Sequence, residues 1–205
     1  MFKSLVGSKV GMTQLFDKNN KRVVPVTAVK IERLYVTQVK TIDRDGYVAV
    51  QVGMPKDRYL DSTLSEDWFK KKSRYFKVVK EIDFVNKDVK AGDSLTLEDF
   101  GVKEGASVKV TGKSKGLGFL GVMGRWGFSG GPKAHGSTFH RAPGSIGSIR
   151  RVGEVWKGKK LPGRTGCDQV SVRSIVEKVD NQAGILFLRG SVPGKSGFLL
   201  EVFAR

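Results

Sequence analysis

The chain has 205 residues and a formal charge of +17, with 37 lysine and arginine residues against 20 acids. That length suits one domain or two small ones, and the single cysteine, Cys167, excludes a disulfide within the chain. No stretch approaches the roughly 20 apolar residues of a membrane span, and the N-terminus has no long apolar run. We therefore expect a cytosolic protein or a matured organellar one, with no membrane partner.

The first part of the chain predicts antiparallel strands joined by turns. Residues 23–31 are rich in β-branched side chains, and residues 35–41 and 47–52 alternate between apolar and polar. Pro25 belongs at a strand edge or a bulge, because proline cannot donate to a ladder. The Asp45-Gly46 pair favours a hairpin between the last two strands, since glycine accepts the positive φ of such turns.

One short helix is predicted within about residues 61–80. Residues 63–66 have the spacing of a capping box, and Leu64, Trp68 and Phe76 would share one face of the helix. A cluster of cations would lie on the other face: Lys70, Lys71, Lys72 and Arg74. Clustered charge alone leaves two readings open, a solvated helix face and a direct contact with RNA.

The remaining strand signals predict a mainly β body. They lie at residues 76–84, 94–97, 107–111, 169–176, 185–189 and 198–203. Short strands without alternating long helices indicate one antiparallel barrel or sandwich. The body would consist of residues 1–111 plus 167–205, interrupted by the segment between them.

Residues 112–166 predict an extended segment that protrudes from this body. They carry a charge of +10, from eleven basic residues against one acid, together with 15 of the 26 glycines. Fixing 55 backbones costs on the order of 55–110 kcal/mol, and the apolar residues here are too scattered to offset that. We therefore expect a polyanion to order the segment, because lysine and arginine release its counterions.

Aromatic residues among these cations favour RNA over duplex DNA. Phe119, Trp126, Phe128, Phe139 and Trp156 can stack on unpaired bases, which is how RNA loops are recognised. The predicted RNA-binding residues are Lys113, Lys115, Arg125, Trp126, Lys133, His135, His140, Arg141, Arg150, Arg151, Lys157, Lys159, Lys160 and Arg164.

Other chemistries have weaker support in the sequence. Residues 116–121 fit the G-x-G-x-x-G string of dinucleotide sites, but the region 20 residues further on is basic where an acid is needed. His135, His140 and Cys167 supply at most three of the four ligands of a structural zinc site. We assign both histidines to hydrogen bonding or stacking against RNA, and Cys167 to a packed position at the edge of the body.

We therefore expect no cofactor, no metal, no catalytic group and no small-molecule substrate. Two alternatives stay open. One is a DNA-compacting architectural protein that inserts apolar wedges such as Phe119 and Ile146. The other is a nucleotide-dependent enzyme that uses the glycine string.

Five blocks of sequence resemble the universal large-subunit ribosomal protein L3 family in its bacterial-type form. The blocks are LVGSKVGMT (residues 5–13), VTGKSKGLGF (110–119), HGSTFHRAPGSIG (135–147), KGKKLPGR (157–164) and GSVPG (190–194). They occur in the family's order and span nearly the whole chain.

The resemblance implies a six-stranded barrel of the translation-protein type with a long internal loop that runs through large-subunit ribosomal RNA. It also implies early large-subunit assembly, neighbouring ribosomal proteins as partners, and a ribosomal location in the cytoplasm or in an organelle. The inner tip of the loop would lie near Ser145, Ile146, Gly147 and Ser148, directed towards the peptidyl transferase centre. Many bacterial members carry a methylated glutamine where this chain has Ser148, so that modification cannot occur here.

Overall fold

The computed structural model describes residues 4–17, 22–60, 62, 65–83, 89–147 and 153–204. The strands are β1 (Ser4–Asp17), β2 (Arg22–Lys30), β3 (Leu34–Lys40), β4 (Ala49–Pro55), β5 (Phe76–Ile82), β6 (Ser94–Leu95), β7 (Ser107–Lys113), β8 (Gly118–Leu120), β9 (Gly163–Thr165), β10 (Gln169–Asp180), β11 (Ile185–Arg189) and β12 (Leu199–Ala204). The α-helices are α1 (Ile42–Asp45), α2 (Glu66–Lys70), α3 (Lys72–Tyr75), α4 (Leu97–Phe100) and α5 (Val122–Trp126), and a 3-10 turn covers Asp57–Tyr59. The chain divides into two compact units, Met1–Lys113 with Gln169–Arg205, and Ser114–Asp168.

A closed barrel of six antiparallel strands forms the centre of the first unit. The strand order around it is β1-β12-β7-β10-β11-β2. Alternate side chains point inwards, and Val29, Val110, Val176, Leu188 and Val202 are fully buried. β-branched residues suit this position because they pack well on a pleated, half-buried surface. The prediction of a mainly β fold with a six-stranded antiparallel barrel is confirmed.

A separate four-stranded sheet lies in the same unit, in the order β5-β4-β3-β6. Its strands pair only with one another, for example through Leu34 opposite Leu95, so the body is more than one barrel or sandwich. Side chains of the sheet and the barrel nevertheless share one hydrophobic core, which includes Val36, Val50 and Phe100 from the sheet region and Leu5 from the barrel. Burial against a common core explains how such short strands are stabilised.

A polar network crosses the outer surface of this sheet. Lys40 Nζ lies 2.7 Å from a carboxylate oxygen of Glu81, and the Tyr47 hydroxyl donates to the same carboxylate at 2.9 Å. These contacts raise the pKa of Lys40 and lower the pKa of Glu81, because each charge is hydrogen-bonded in its ionised form. The network ties β3 to β5 across β4.

Local structure differs from the sequence predictions at three places. The Asp45-Gly46 hairpin forms, but its turn contains the single helical turn α1, which ends where Gly46 adopts a φ of +80°. The helix predicted within 61–80 is two short helices, α2 and α3, and Phe76 begins β5 instead of extending their apolar face. Thr63 and Leu64 of the predicted capping box lie outside the described residues.

The third difference is α4, which occupies the end of the strand predicted at 94–97. The Asp99 carboxylate accepts hydrogen bonds from the Thr96 backbone N–H at 3.0 Å and from the Thr96 hydroxyl at 3.2 Å. This local capping satisfies a backbone donor at the helix start, and the left-handed Gly101 ends the helix. None of the described helices is long and apolar enough to cross a membrane.

Candidate nucleic-acid interface

The second unit, Ser114–Asp168, is held together by a short ladder and one helical turn. β8 pairs with β9 through Phe119 opposite Arg164, and α5 follows β8 directly. Val122 is buried at the start of this helix. The glycine-rich composition thus allows only three-residue strands and a five-residue helix here.

Arg125 and Trp126 fasten the helix to the returning segment. Arg125 Nη1 and Trp126 Nε1 each donate to the Leu161 carbonyl at 2.9 Å. Gly163 lies close to this arrangement: a Cβ there would lie 2.5 Å from Arg125 Nη1, so the guanidinium would have to shift to admit it. Arg125 therefore has a structural contact within the chain, which sequence reasoning missed because it joins positions 36 apart.

A second close approach shapes residues 130–140. The Gly131 N–H donates to the His140 carbonyl at 2.9 Å, and His140 Nδ1 lies 3.1 Å from the Pro132 carbonyl oxygen. A Cβ on Gly131 would lie 1.8 Å from the Phe139 carbonyl oxygen, so only glycine fits there. This fold brings His140 and Arg141 back beside the segment that carries Lys133.

Most of the predicted RNA-binding side chains that the structure describes are exposed. The exposed members are Lys113, Lys115, Trp126, Lys133, His135, His140, Arg141, Lys157, Lys159, Lys160 and Arg164, whereas Arg125 is half-buried. Lys113 belongs to β7 of the first unit and the others belong to the second. Among the described residues, no ion pair involves a cation of the second unit. In the described part of this unit, the positive charge is therefore not neutralised by ion pairs.

Aromatic rings accompany these cations. Phe119 and Trp156 are 75% and 71% exposed, which is unusual for such large apolar side chains. Trp126 has the Arg125 guanidinium carbon 5.0 Å and Lys160 Nζ 5.8 Å from its ring centroid. Exposed rings in a strongly cationic unit are typical of proteins that bind single-stranded nucleic acid by stacking and charge.

Part of the predicted inner tip lies within the described residues. Ser145, Ile146 and Gly147 are exposed. Ser148, Arg150 and Arg151 lie outside the described residues, so the predictions made for them stay predictions.

The structure also describes the surroundings of the residues weighed for other chemistry. Cys167 is exposed and adopts a φ of +61°, so the prediction that it packs at the edge of the body is wrong. Within the described part of the chain, no three His, Cys, Asp or Glu side chains cluster in a way that could hold a metal ion. β8 occupies the middle of the G-x-G-x-x-G string, and α5 after it is only five residues long.

Comparison with known proteins identifies the class as ribosomal. The model of the family described as ribosomal protein L3 matches residues 71–183. Large ribosomal subunit protein uL3 of Thermotoga petrophila is 42% identical, covering 98% of this chain and 96% of the relative. The proteins of the same name from Dehalococcoides mccartyi and Lactobacillus helveticus are 41% and 43% identical, over 98% of this chain and 98% and 95% of their own lengths.

The chain belongs to the ribosomal protein L3 family. The family resemblance predicted from the five sequence blocks is therefore confirmed.

Proposed function

We propose that this chain is a structural constituent of the large ribosomal subunit and that it binds large-subunit ribosomal RNA through the unit Ser114–Asp168. One observation carries the proposal: most cations of this unit are exposed, none of them forms an ion pair among the described residues, and the same unit carries exposed aromatic rings. Its relatives are named as proteins of the large ribosomal subunit, which supports the same assignment.

The chemistry of binding is neutralisation and stacking. Lysine and arginine side chains along the unit contact phosphates and release counterions, while Phe119, Trp126 and Trp156 stack on unpaired bases. Glycines with open space around them, such as Gly121, let the RNA backbone approach the protein backbone closely. Neighbouring ribosomal proteins are further partners, and the location is the ribosome in the cytoplasm.

The role at the catalytic centre of the ribosome is indirect. We propose that residues near 145–148 extend towards the peptidyl transferase centre and position RNA there, and that the chain assists early subunit assembly. No protein group takes part in bond formation, so the chain is not an enzyme.

Removing three exposed lysines tests the RNA-binding surface. Lys157→Gln, Lys159→Gln and Lys160→Gln together should lower the slope of log affinity for large-subunit ribosomal RNA against log salt by about 2 to 3, since each lost phosphate contact removes about 0.7–0.9. The measurement is filter or fluorescence binding at several salt concentrations. Lys103→Gln with Lys178→Gln, two exposed lysines of the first unit, is the control. Equal slopes for the triple variant and the unchanged chain would refute the proposed surface.

A further inference from the structure

A second cationic surface lies in the first unit, on the elements between β4 and β5. We name it the arginine–tyrosine surface and define it by Arg58, Tyr59, Arg74 and Tyr75. The proposed function above does not use these residues. Arg58 and Arg74 are exposed, and the two tyrosines are half-buried.

A small aromatic core supports this surface. Trp68 is only 3% exposed and stacks on Tyr75, with ring centroids 5.1 Å apart and planes 7° apart. The ring of Tyr59 lies 5.1 Å from Tyr75 and 5.7 Å from Trp68. Buried Phe76 packs edge-on against Trp68. The rings are therefore held in place by packing against one another.

Both guanidinium groups rest on these fixed rings. The Arg58 guanidinium carbon lies 4.7 Å from the centroid of Tyr59, and that of Arg74 lies 5.7 Å from the centroid of Tyr75. The neighbouring Tyr59 hydroxyl also raises the pKa of Arg74, because it favours the charged guanidinium. Each guanidinium is planar and carries five N–H donors. The two are thus positioned by neighbouring rings, those of Tyr59 and Tyr75, whose centroids lie 5.1 Å apart. This ordering lowers the side-chain entropy that binding would otherwise cost.

The cations around the arginine–tyrosine surface are only partly neutralised by neighbouring carboxylates. In the part of the chain that the structure describes, no ion pair involves Arg58, Arg74, Lys71 or Lys77. The same elements carry the acids Asp57, Glu66 and Asp67. The ion pair among the described residues here is Lys70–Glu66 at 3.9 Å. It contributes little to stability, because both side chains are highly exposed.

Two lysines of the same elements have internal partners. Lys56 Nζ donates to the Ser73 carbonyl at 2.8 Å, and Lys72 Nζ donates to the Gln51 side-chain oxygen. The first contact joins the start of the 3-10 turn to α3, and the second fastens α3 to β4 of the sheet. The exposed cations of these elements include both arginines.

We propose that the arginine–tyrosine surface is a second RNA-binding site, which takes the phosphate backbone of folded RNA between its two guanidinium groups. The inference rests on the proposed function for the nature of the ligand, but it uses a different unit of the chain. Arginine forks match phosphate oxygens in bidentate geometry, and arginine planes stacked on rings are typical of RNA recognition. A protein partner is less favoured, because interfaces between proteins need an apolar centre and the largest rings here are buried.

The test is a double variant of the full chain, Arg58→Gln with Arg74→Gln, which removes two charges and keeps long polar side chains. Binding to large-subunit ribosomal RNA is measured across salt concentrations beside Lys103→Gln with Lys178→Gln, which removes the same charge from exposed positions of the same unit. We expect the salt slope to fall by about 1.4 to 1.8 for the arginine variant and by less than half of that for the control. Tryptophan fluorescence checks that the aromatic core around Trp68 is intact.

A second variant separates the loss of RNA contacts from a loss of folding. Lys71→Gln with Lys77→Gln removes exposed charges beside the surface without touching the stacked rings, and it should reduce the slope in the same direction. If the unchanged chain binds RNA and the salt slopes of both variants equal that of the control, the proposed second RNA-binding site is refuted. The surface would then be exposed to solvent or bind an acidic protein. If the unchanged chain fails to bind ribosomal RNA at all, the proposed function itself fails, and the two failures are thereby distinguished.

Discussion

At the scale of single residues, Lys9 shows how a charge is accommodated at the wall of the barrel. The residue is only 8% exposed, and its Nζ donates to the Val192 carbonyl at 2.8 Å and to the Gly194 carbonyl at 2.9 Å. Its backbone N–H donates to Phe198, and its carbonyl accepts from Gly197. Lys9 therefore holds the loop between β11 and β12 at four points, which compensates for removing an ammonium group from water.

Replacing Lys9 by methionine should destabilise the chain. Lys9→Met keeps most of the side-chain volume but leaves two buried carbonyl oxygens without their charged donor, which costs about 2–4 kcal/mol in the free energy of unfolding. Urea unfolding of the purified chain measures this difference. Lys30→Met, at an exposed position of β2, is the matched control and should change stability by no more than about 0.5 kcal/mol. Equal effects of the two substitutions would show that the Lys9 contacts contribute nothing.

At the scale of structural elements, close approaches within the second unit compensate for its scarcity of apolar contacts. The approach at Gly131 brings residues 130–132 against residues 139–140, and the Arg125 and Trp126 bonds to Leu161 close the other end. Glycine thus has two roles in this unit. At some positions it admits another part of the same chain, and at others, such as Gly121, the space around it is open.

Gly131→Ala should open the segment at residues 130–140. Its Cβ would meet the Phe139 carbonyl oxygen at 1.8 Å, and a displacement costing about 1.4 kcal/mol or more would speed limited proteolysis of this segment at least roughly tenfold. Affinity for ribosomal RNA should fall as well, since His140 and Arg141 would lose their fixed positions.

Gly121→Ala is the control for this change. A Cβ added to Gly121 would have nothing within 4 Å, and the φ of −67° is ordinary, so alanine fits there without strain. The account of the close approach is contradicted if both alanine variants are cut at the same rate. The first unit should unfold within about 0.5 kcal/mol of the unchanged chain in either case.

At the scale of the whole molecule, the sequence predicts what depends on local pattern and misses what depends on distant pairing. The strand at 185–189 coincides with β11, because turn residues bound a short apolar run on both sides. The separate sheet was not predicted, since alternation along 35–41 and 47–52 marks strands without saying that Leu95 returns to pair with Leu34. Closure of the six barrel strands came from the family resemblance, because the strand signals alone left a sandwich equally open.

The same division applies to the candidate site. Charge, glycine content and aromatic content pointed to residues 112–166 as the RNA-binding segment, which stays a prediction, and most of the described cations there are exposed. The contacts of Arg125 with Leu161 and of Gly131 with His140 depend on the path of the chain between them, which no residue pattern specifies. For the arginine–tyrosine surface, the sequence left an RNA contact open at the cluster that includes Arg74, but it did not indicate Arg58, which is linked to Arg74 through the packed rings of Tyr59 and Tyr75.

The central claim is that the unit Ser114–Asp168 contacts large-subunit ribosomal RNA. Ultraviolet crosslinking in cells, followed by sequencing of the attached RNA and mapping of the crosslinked residues, tests it most directly. The account predicts crosslinks from Phe119, Trp126 and Trp156 concentrated on large-subunit ribosomal RNA, with those from residues near 145–148 close to the peptidyl transferase region. Crosslinks scattered over many transcripts, or absent from this unit, would contradict it.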